Sequence, residues 1–397
     1  MGLGGIPASE RVHIGFFGRR NAGKSSLINA VTGQELSIVS DTLGTTTDPV
    51  SKTMELLPLG PVVIIDTPGI DDVGELGALR VKKAYEALNR CHIAVVVIDS
   101  GSGITAEDEK LIALIKDKKL PYIVCYNKCD IVSNKALSGA EIYVSAKTGK
   151  GIYELKEKIA GLLDKKSEKY IIADRINKGD IVVLVIPIDS SAPKGRIILP
   201  QQQTLREVLD AGGVCVCVQP DELGEALKVL NKKPALVITD SQVFGEVSKI
   251  VPRDVFLTSF SILMLNYKGE LLPAVENAGV ISELKDGDSV LISEGCTHHR
   301  QCEDIGTVKI PALMRKTSGA DLSFDFTSGG DFPDDLSKYS LIVQCGGCMI
   351  NEKEIKFRTD KAKARGVPMT NYGIALAYMN GILERSVEFF VKGGLGK

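Results

Sequence analysis

The chain of 397 residues has no tryptophan, and aromatic residues make up only 5% of it. Stacking platforms for single-stranded nucleic acid are therefore scarce. An excess of one charge is lacking too: 48 Lys and Arg against 50 Asp and Glu leave a net charge of −2. Such a balance supplies neither a basic stripe for nucleic acid nor a polybasic segment for an anionic membrane, so neither partner is expected. No run approaches the ~20 apolar residues of a membrane span. The stretch MGLGGIPASERV has no charged segment followed by an apolar one, and Ile6 stands where a myristoylation signal wants Ser or Thr. The expected location is the cytoplasm. With 44% hydrophobic and 25% charged residues the composition is that of a globular chain, and its length predicts two to three domains of roughly 150 residues.

Cysteine, by contrast, is plentiful, with nine residues. In a reducing compartment, clustered thiols point to metal binding or catalysis before disulfides.

The fold class expected is α/β, a three-domain chain. The apolar runs VHIGFF (12–17), VVIID (62–66), IAVVVID (93–99) and YIVCYN (122–127) alternate with amphipathic stretches such as 76–90 and 107–117. That pattern predicts a parallel sheet covered by helices, with strands buried on both faces. A charged run at 164–169 reads as a linker. A second set of strands is expected at 181–188, 214–218, 235–240 and 255–259, with helices near 205–211, 222–230 and 243–250. A third set follows, with a helix at 274–284 and strands at 289–293, 340–343 and 366–370. The domains are expected at 1–168, 169–265 and 266–397, the last two smaller and with mostly parallel sheets.

The first strand runs into Gly18-Arg19-Arg20-Asn21-Ala22-Gly23-Lys24-Ser25-Ser26, a match to G-x-x-x-x-G-K-[ST]. The glycines let backbone N–H groups wrap a polyphosphate, and the next helix offers its positive N-terminus. Lys24 would reach the β- and γ-phosphates, and the Ser25 hydroxyl would hold Mg²⁺. Asp66-Thr67-Pro68-Gly69 ends another strand, placing Asp66 to meet Mg²⁺ through water and Gly69 to follow the γ-phosphate. Thr46 in GTTTD would supply a second hydroxyl to the magnesium. Asn127-Lys128-Cys129-Asp130 closes a fourth strand, and the Asp130 carboxylate can accept both N1–H and the exocyclic amine of guanine. Ser145-Ala146-Lys147 would buttress the same base. Order and spacing fit GTP and GDP.

These segments resemble the TrmE and Era group of GTPases over the N-terminal third. The resemblance implies that Asn21 helps bind K⁺ between the phosphates and that hydrolysis is K⁺-stimulated. Glu75 lies roughly where that group keeps a water-activating Glu, with different local spacing. Ile70 replaces the Gln that orients water in Ras-like enzymes, so hydrolysis should be slow or draw on another charge.

In the last third, Cys296-Thr297-His298-His299 and Cys345-Gly346-Gly347-Cys348 both sit just past predicted strand ends. In an open parallel sheet such loops gather along one edge, which can bring three thiols together. Three thiolates and one other ligand suit Zn²⁺ or a [4Fe–4S] cluster, and a redox disulfide is a further reading. His298, His299, Cys302, a carboxylate, water or an exogenous ligand could complete the set. Cys215 and Cys217 alternate with valines and read as core, as do His13 and His92 in or beside buried strands; Cys91 and Cys125 flank or occupy strands and Cys129 fills the variable position of NKxD, so none of the three is expected as a ligand.

A TrmE-like GTPase followed by C-x-H and C-x-x-C is similar to the [FeFe]-hydrogenase maturation GTPases. That resemblance spans essentially the whole chain, including 186–204. It implies a dimerising central segment and a C-terminal [4Fe–4S] cluster on Cys296, Cys345 and Cys348, with His298 among candidate fourth ligands. Gln344 departs from the His often found before C-x-x-C in that family. The family's role is that of a GTP-switched scaffold for a transient diiron subcluster precursor. It implies two radical-SAM maturases and apo-[FeFe]-hydrogenase as partners. The rival reading is a K⁺-dependent GTPase of RNA modification or ribosome assembly with a structural zinc domain.

Overall fold

The computed structural model describes residues 6–34, 49–72, 74–132, 139–163, 169–188, 197–295 and 305–391. Thr46, Cys296, His298, His299 and Cys302 lie outside the described residues. The chain divides into two compact units, 1–167 and 168–397.

The first unit contains β1 (Val12–Phe17), α1 (Lys24–Thr32), β2 (Val50–Leu56), β3 (Gly60–Asp66), α2 (Glu75–Ala87), β4 (Ile93–Asp99), α3 (Ala106–Asp117), β5 (Tyr122–Asn127), β6 (Glu141–Tyr143) and α4 (Ile152–Gly161). Its sheet runs β2-β3-β1-β4-β5-β6, and every pairing is parallel except β2 with β3. The apolar runs end buried on both faces. Ile14, Val95 and Cys125 pack with α1 and α4, whereas Phe17, Val96 and Val124 pack with α2 and α3. The strand β2 carries no apolar run because VSKTMEL is largely polar; as the exposed edge it gains its strand from pairing with β3 rather than from burial. Helix α3 begins on a capping box, with Thr105 and Asp108 each satisfying the other's backbone N–H.

The second unit holds two four-stranded sheets, each wholly parallel. The first is built from β7 (Ile181–Val185), α5 (Leu199–Asp210), β8 (Val214–Val218), α6 (Leu223–Val229), β9 (Leu236–Thr239), α7 (Phe244–Ile250), β10 (Phe256–Ser259) and α8 (Phe260–Tyr267), with strand order β10-β9-β7-β8. After α9 (Leu271–Glu276) the second follows, with β11 (Ser289–Ser293), α10 (Ile310–Ser318), β12 (Ser323–Thr327), β13 (Leu341–Gln344), α11 (Glu352–Ala364), β14 (Met369–Asn371), α12 (Tyr372–Met379) and α13 (Leu383–Val391). Its order is β12-β11-β13-β14.

Several elements differ from the sequence expectation, and β6 and β12 are strands that it does not place. Helix α5 starts at Leu199 rather than near 205 because Pro200 occupies the first turn, where a missing N–H costs nothing. The helix expected at 274–284 is α9 followed by a 3₁₀ stretch at Asn277–Glu283. The strand VCVCV is an edge, and Cys217 is exposed rather than core. Helix α12 is apolar on all sides: Ile374 and Ala377 face the first of these two cores, while Ala375 and Leu376 face the second. Sharing that helix fuses the two sheets into one compact unit.

Candidate functional site

The phosphate loop springs from β1 and ends on Gly23, whose φ of 89° is a left-handed conformation. A Cβ there would lie 2.3 Å from Asn127 Nδ2, so glycine is required twice over. Lys24 is buried, and its Nζ donates to the carbonyls of Gly18 (3.0 Å) and Arg19 (2.8 Å). Burial pushes its ammonium below the ordinary value, against the pull of Asp66, Asp71, Asp72 and Asp108. Ser25 Oγ donates to Asp66 Oδ2 at 2.8 Å, so the two groups expected around a magnesium already meet. The donor set, a hydroxyl and a carboxylate beside a lysine, suits a hard divalent cation bound together with phosphate.

The base end is tied to the phosphate loop by Asn127. Its Nδ2 donates to Ala22 O (3.0 Å), and its Oδ1 accepts the N–H of Ala146 (3.0 Å). Lys128 Nζ donates to Asn21 O and to Asp99 Oδ2, each at 2.7 Å. Ser145 Oγ donates to Asp130 Oδ1 at 2.6 Å, which holds the Asp130 carboxyl below its usual range. The motif residues Gly18, Asn21, Ala22, Gly23, Lys24, Ser25, Asp66, Gly69, Asn127, Lys128, Asp130, Ser145 and Ala146 therefore share one sheet edge.

Two residues that the motifs do not single out stand closer to the phosphate loop than Glu75, which is exposed at the start of α2. Asp71 Oδ1 accepts the Arg20 N–H at 2.7 Å. Asp72 bridges Arg20 (3.2 Å) and Arg80 (3.5 Å). The doubled aspartate directly after DTPG-Ile is the sequence signal that points to them. Ile70 itself is buried in the core and faces away from solvent chemistry.

The cysteine loop follows β13. Cys345 Sγ accepts N–H bonds from Gly295 (3.0 Å) and Gly347 (3.3 Å). Gly295 immediately precedes Cys296, so the chain just before the first thiol abuts the second. Gly347 has φ 61°, and this turn aims its amide at the sulfur. Burial raises the thiols of both Cys345 and Cys348, while amide donors to Cys345 and the cation of Lys268 near Cys348 work the other way. Gln344 is buried and its Nε2 approaches Cys345 Sγ at 3.9 Å. Arg358, fully buried on α11, donates to Glu354 (3.0 Å), Ser293 Oγ (3.1 Å) and Gly329 O (2.7 Å). Its place in a heavily charged helix hides that role in the sequence. Among the described residues no three His, Cys, Asp or Glu side chains form a metal cage. Two thiols with amide donors and buried cations suit a soft, thiolate-held centre completed by a further ligand.

Comparison with known proteins adds three family matches. Residues 13–128 match the 50S ribosome-binding GTPase family, 171–269 the hydrogen maturase F dimerization domain and 273–389 the hydrogen maturase F tetramerization domain. GTPase Der of Xylella fastidiosa (strain M23) is 36% identical over 145 residues, covering 36% of this chain and 31% of Der. The tRNA modification GTPase MnmE of Nitrosomonas eutropha is 31% identical over 153 residues, covering 37% of this chain and 34% of MnmE. The chain thus spans about a third of the length of these relatives. The solved structure of Aquifex aeolicus Era bound to GDP.AlF4- aligns with 19% identity and a TM-score of 0.36, covering 55% of this chain and 98% of Era. Among the described residues no helix is long and apolar enough to cross a membrane.

Proposed function

The chain belongs to the hydrogen maturase F family, and from that premise we propose that it is a GTP-hydrolysing scaffold and carrier. It holds a [4Fe–4S] cluster on Cys296, Cys345 and Cys348 and passes a diiron precursor to apo-[FeFe]-hydrogenase, after two radical-SAM maturases have acted. The observation that carries this reading is the Gly295 N–H on Cys345 Sγ, which sets the chain leading into Cys296 against the C-x-x-C thiols. When bound, the cluster supplies an iron whose non-cysteine position can exchange ligands. The protein contributes the thiols, the amide donors that share their charge, and the half-buried setting of Cys345.

At the other end, Lys24 and the loop amides neutralise phosphate charge, while Ser25, Asp66 and Thr46 hold Mg²⁺. Asp130, Asn127 and the Ser145-Ala146-Lys147 turn select guanine. Asn21 coordinates K⁺ beside the phosphates, and GTP turnover alters contacts with the maturation partners. Asp71, hydrogen-bonded to the phosphate loop, supplies the acidic group that Ile70 cannot.

The deciding experiment is anaerobic reconstitution of the full chain, followed by iron and sulfide analysis, EPR after reduction, and GTP turnover in K⁺ against Na⁺. Four irons and four sulfides per chain, a reduced-cluster signal and faster turnover in K⁺ are expected. One zinc per chain with no sulfide would instead favour an RNA-related GTPase with a structural metal domain, a reading whose RNA part is suggested by the name of the tRNA modification GTPase MnmE.

A further inference from the structure

Helix α8 lies in the segment that matches the dimerization domain, yet its far end reaches the cysteine loop of the next segment. Lys268, directly after α8, is only 5% exposed. An ammonium taken out of water is costly unless its protons are satisfied. Its Nζ donates to the carbonyls of Gly347 and Ile350, one on each side of Cys348. The same helix makes a second tie at the other end of the loop. Ser261 Oγ donates to Asn371 Oδ1 at 2.9 Å, and Asn371 Nδ2 donates to Cys345 O at 3.2 Å. The turn is therefore tied to α8 at both ends, beside Cys348 through Lys268 at the helix's C-terminus and at Cys345 indirectly through Ser261 and Asn371.

The geometry points to Lys268 as a positioning residue for the iron–sulfur site, clamping the Cys345–Cys348 turn from α8 and placing a buried positive charge beside it. This role rests on the cluster reading above. A neutral donor would suffice to satisfy two carbonyls. A cation does more, because it favours the more negative, reduced state of a thiolate-held centre and so raises its reduction potential. The clamp also gives the dimerization segment a mechanical grip on the metal loop: displacement of α8 moves the carbonyls flanking Cys348.

Three variants of the full-length protein separate the two effects. Lys268→Met removes charge and donors, Lys268→Gln keeps a donor but loses the charge, and Lys268→Arg keeps the charge. After anaerobic reconstitution, Lys268→Met should lose iron to a chelator about tenfold faster than wild type. Lys268→Gln should hold iron better than Lys268→Met yet show a lower midpoint potential, and Lys268→Arg should restore the wild-type potential. In metal-free protein, the limiting rate at which iodoacetamide modifies the Cys345 and Cys348 thiolates, taken from a pH–rate profile so that the cation's effect on ionisation is separated out, should be several-fold higher in Lys268→Met. GTP turnover should be unchanged in all three. Wild-type iron loss, potential and alkylation in both the Met and Gln variants would overturn the assignment. Should the Met variant fail to fold, the Gln variant's potential decides alone. If the wild type takes up no iron and sulfide, the cluster reading falls; accelerated alkylation would then leave the clamp standing without its metal, and unchanged alkylation would remove both.

Discussion

Asp130 shows how a single hydrogen bond sets the conditions under which a site works. The Ser145 hydroxyl stabilises its charged form and holds its pKa below the ordinary 3.8. A lowered pKa means that the carboxylate proposed to accept guanine persists as pH falls and is lost only below that value. Nucleotide affinity governed by Asp130 should therefore be flat from about pH 8 to about pH 5, and Ser145→Ala should shift its acid limit upward. A fluorescent-GDP titration across pH reads this directly. Asp130→Asn exchanges two charge-assisted acceptors for a mismatched amide, so GTP affinity should drop about 10²-fold or more and guanine preference should vanish. A second residue-level contrast concerns hydrolysis. Asp71 contacts the phosphate loop and Glu75 stands apart at the start of α2, so Asp71→Asn should lower kcat about 10²-fold while Glu75→Gln changes it less than about threefold. Single-turnover hydrolysis of GTP distinguishes them, and the reverse ranking would restore Glu75 as the activating group.

At the scale of elements, the contrast between the two edges of the β10-β9-β7-β8 sheet is informative. Helix α13 covers β10, where Phe389 meets Phe256 with ring centroids 5.7 Å apart. Strand β8 receives helix α5 on one face, yet as the outermost strand it leaves Val214 and Cys217 exposed. An uncovered apolar strand edge is a pairing template, and here it lies in a segment matching a dimerization domain. If copies of the chain pair along this edge, Cys217→Lys places a charge on it and should lower the mass of any self-associated species by light scattering while leaving GTP turnover intact. A dimer that survives this substitution would place the contact elsewhere.

For the whole molecule, the division into units at residue 167 predicts separable chemistries. Lys24→Ala should abolish GTP hydrolysis and leave iron content at the wild-type level. Cys345→Ser should do the opposite, with iron measured by chelator assay and phosphate release by a coupled assay. Joint loss in either variant would mean that the units do not function independently.

Much of the fold and most of the nucleotide site are legible in the amino-acid sequence. Parallel strands are buried on both faces, so they appear as unbroken apolar runs such as IAVVVID. The nucleotide motifs stand at strand ends because phosphate chemistry demands glycine, lysine and hydroxyl at fixed spacing. Local chemistry of that kind needs no knowledge of what folds against it. The polar edge β2, the exposure of Cys217, the sharing of α12 between two cores and the burial of Arg358 and Lys268 are not legible, since each depends on neighbours distant in the chain. A lysine after an apolar helix reads as a solvated cap until tertiary packing closes over it. Sequence thus determined which groups could bind nucleotide and metal, whereas the tertiary structure decided which cations and amides stand beside the thiols. Burial and through-space charge are properties of the packed chain, not of any segment within it.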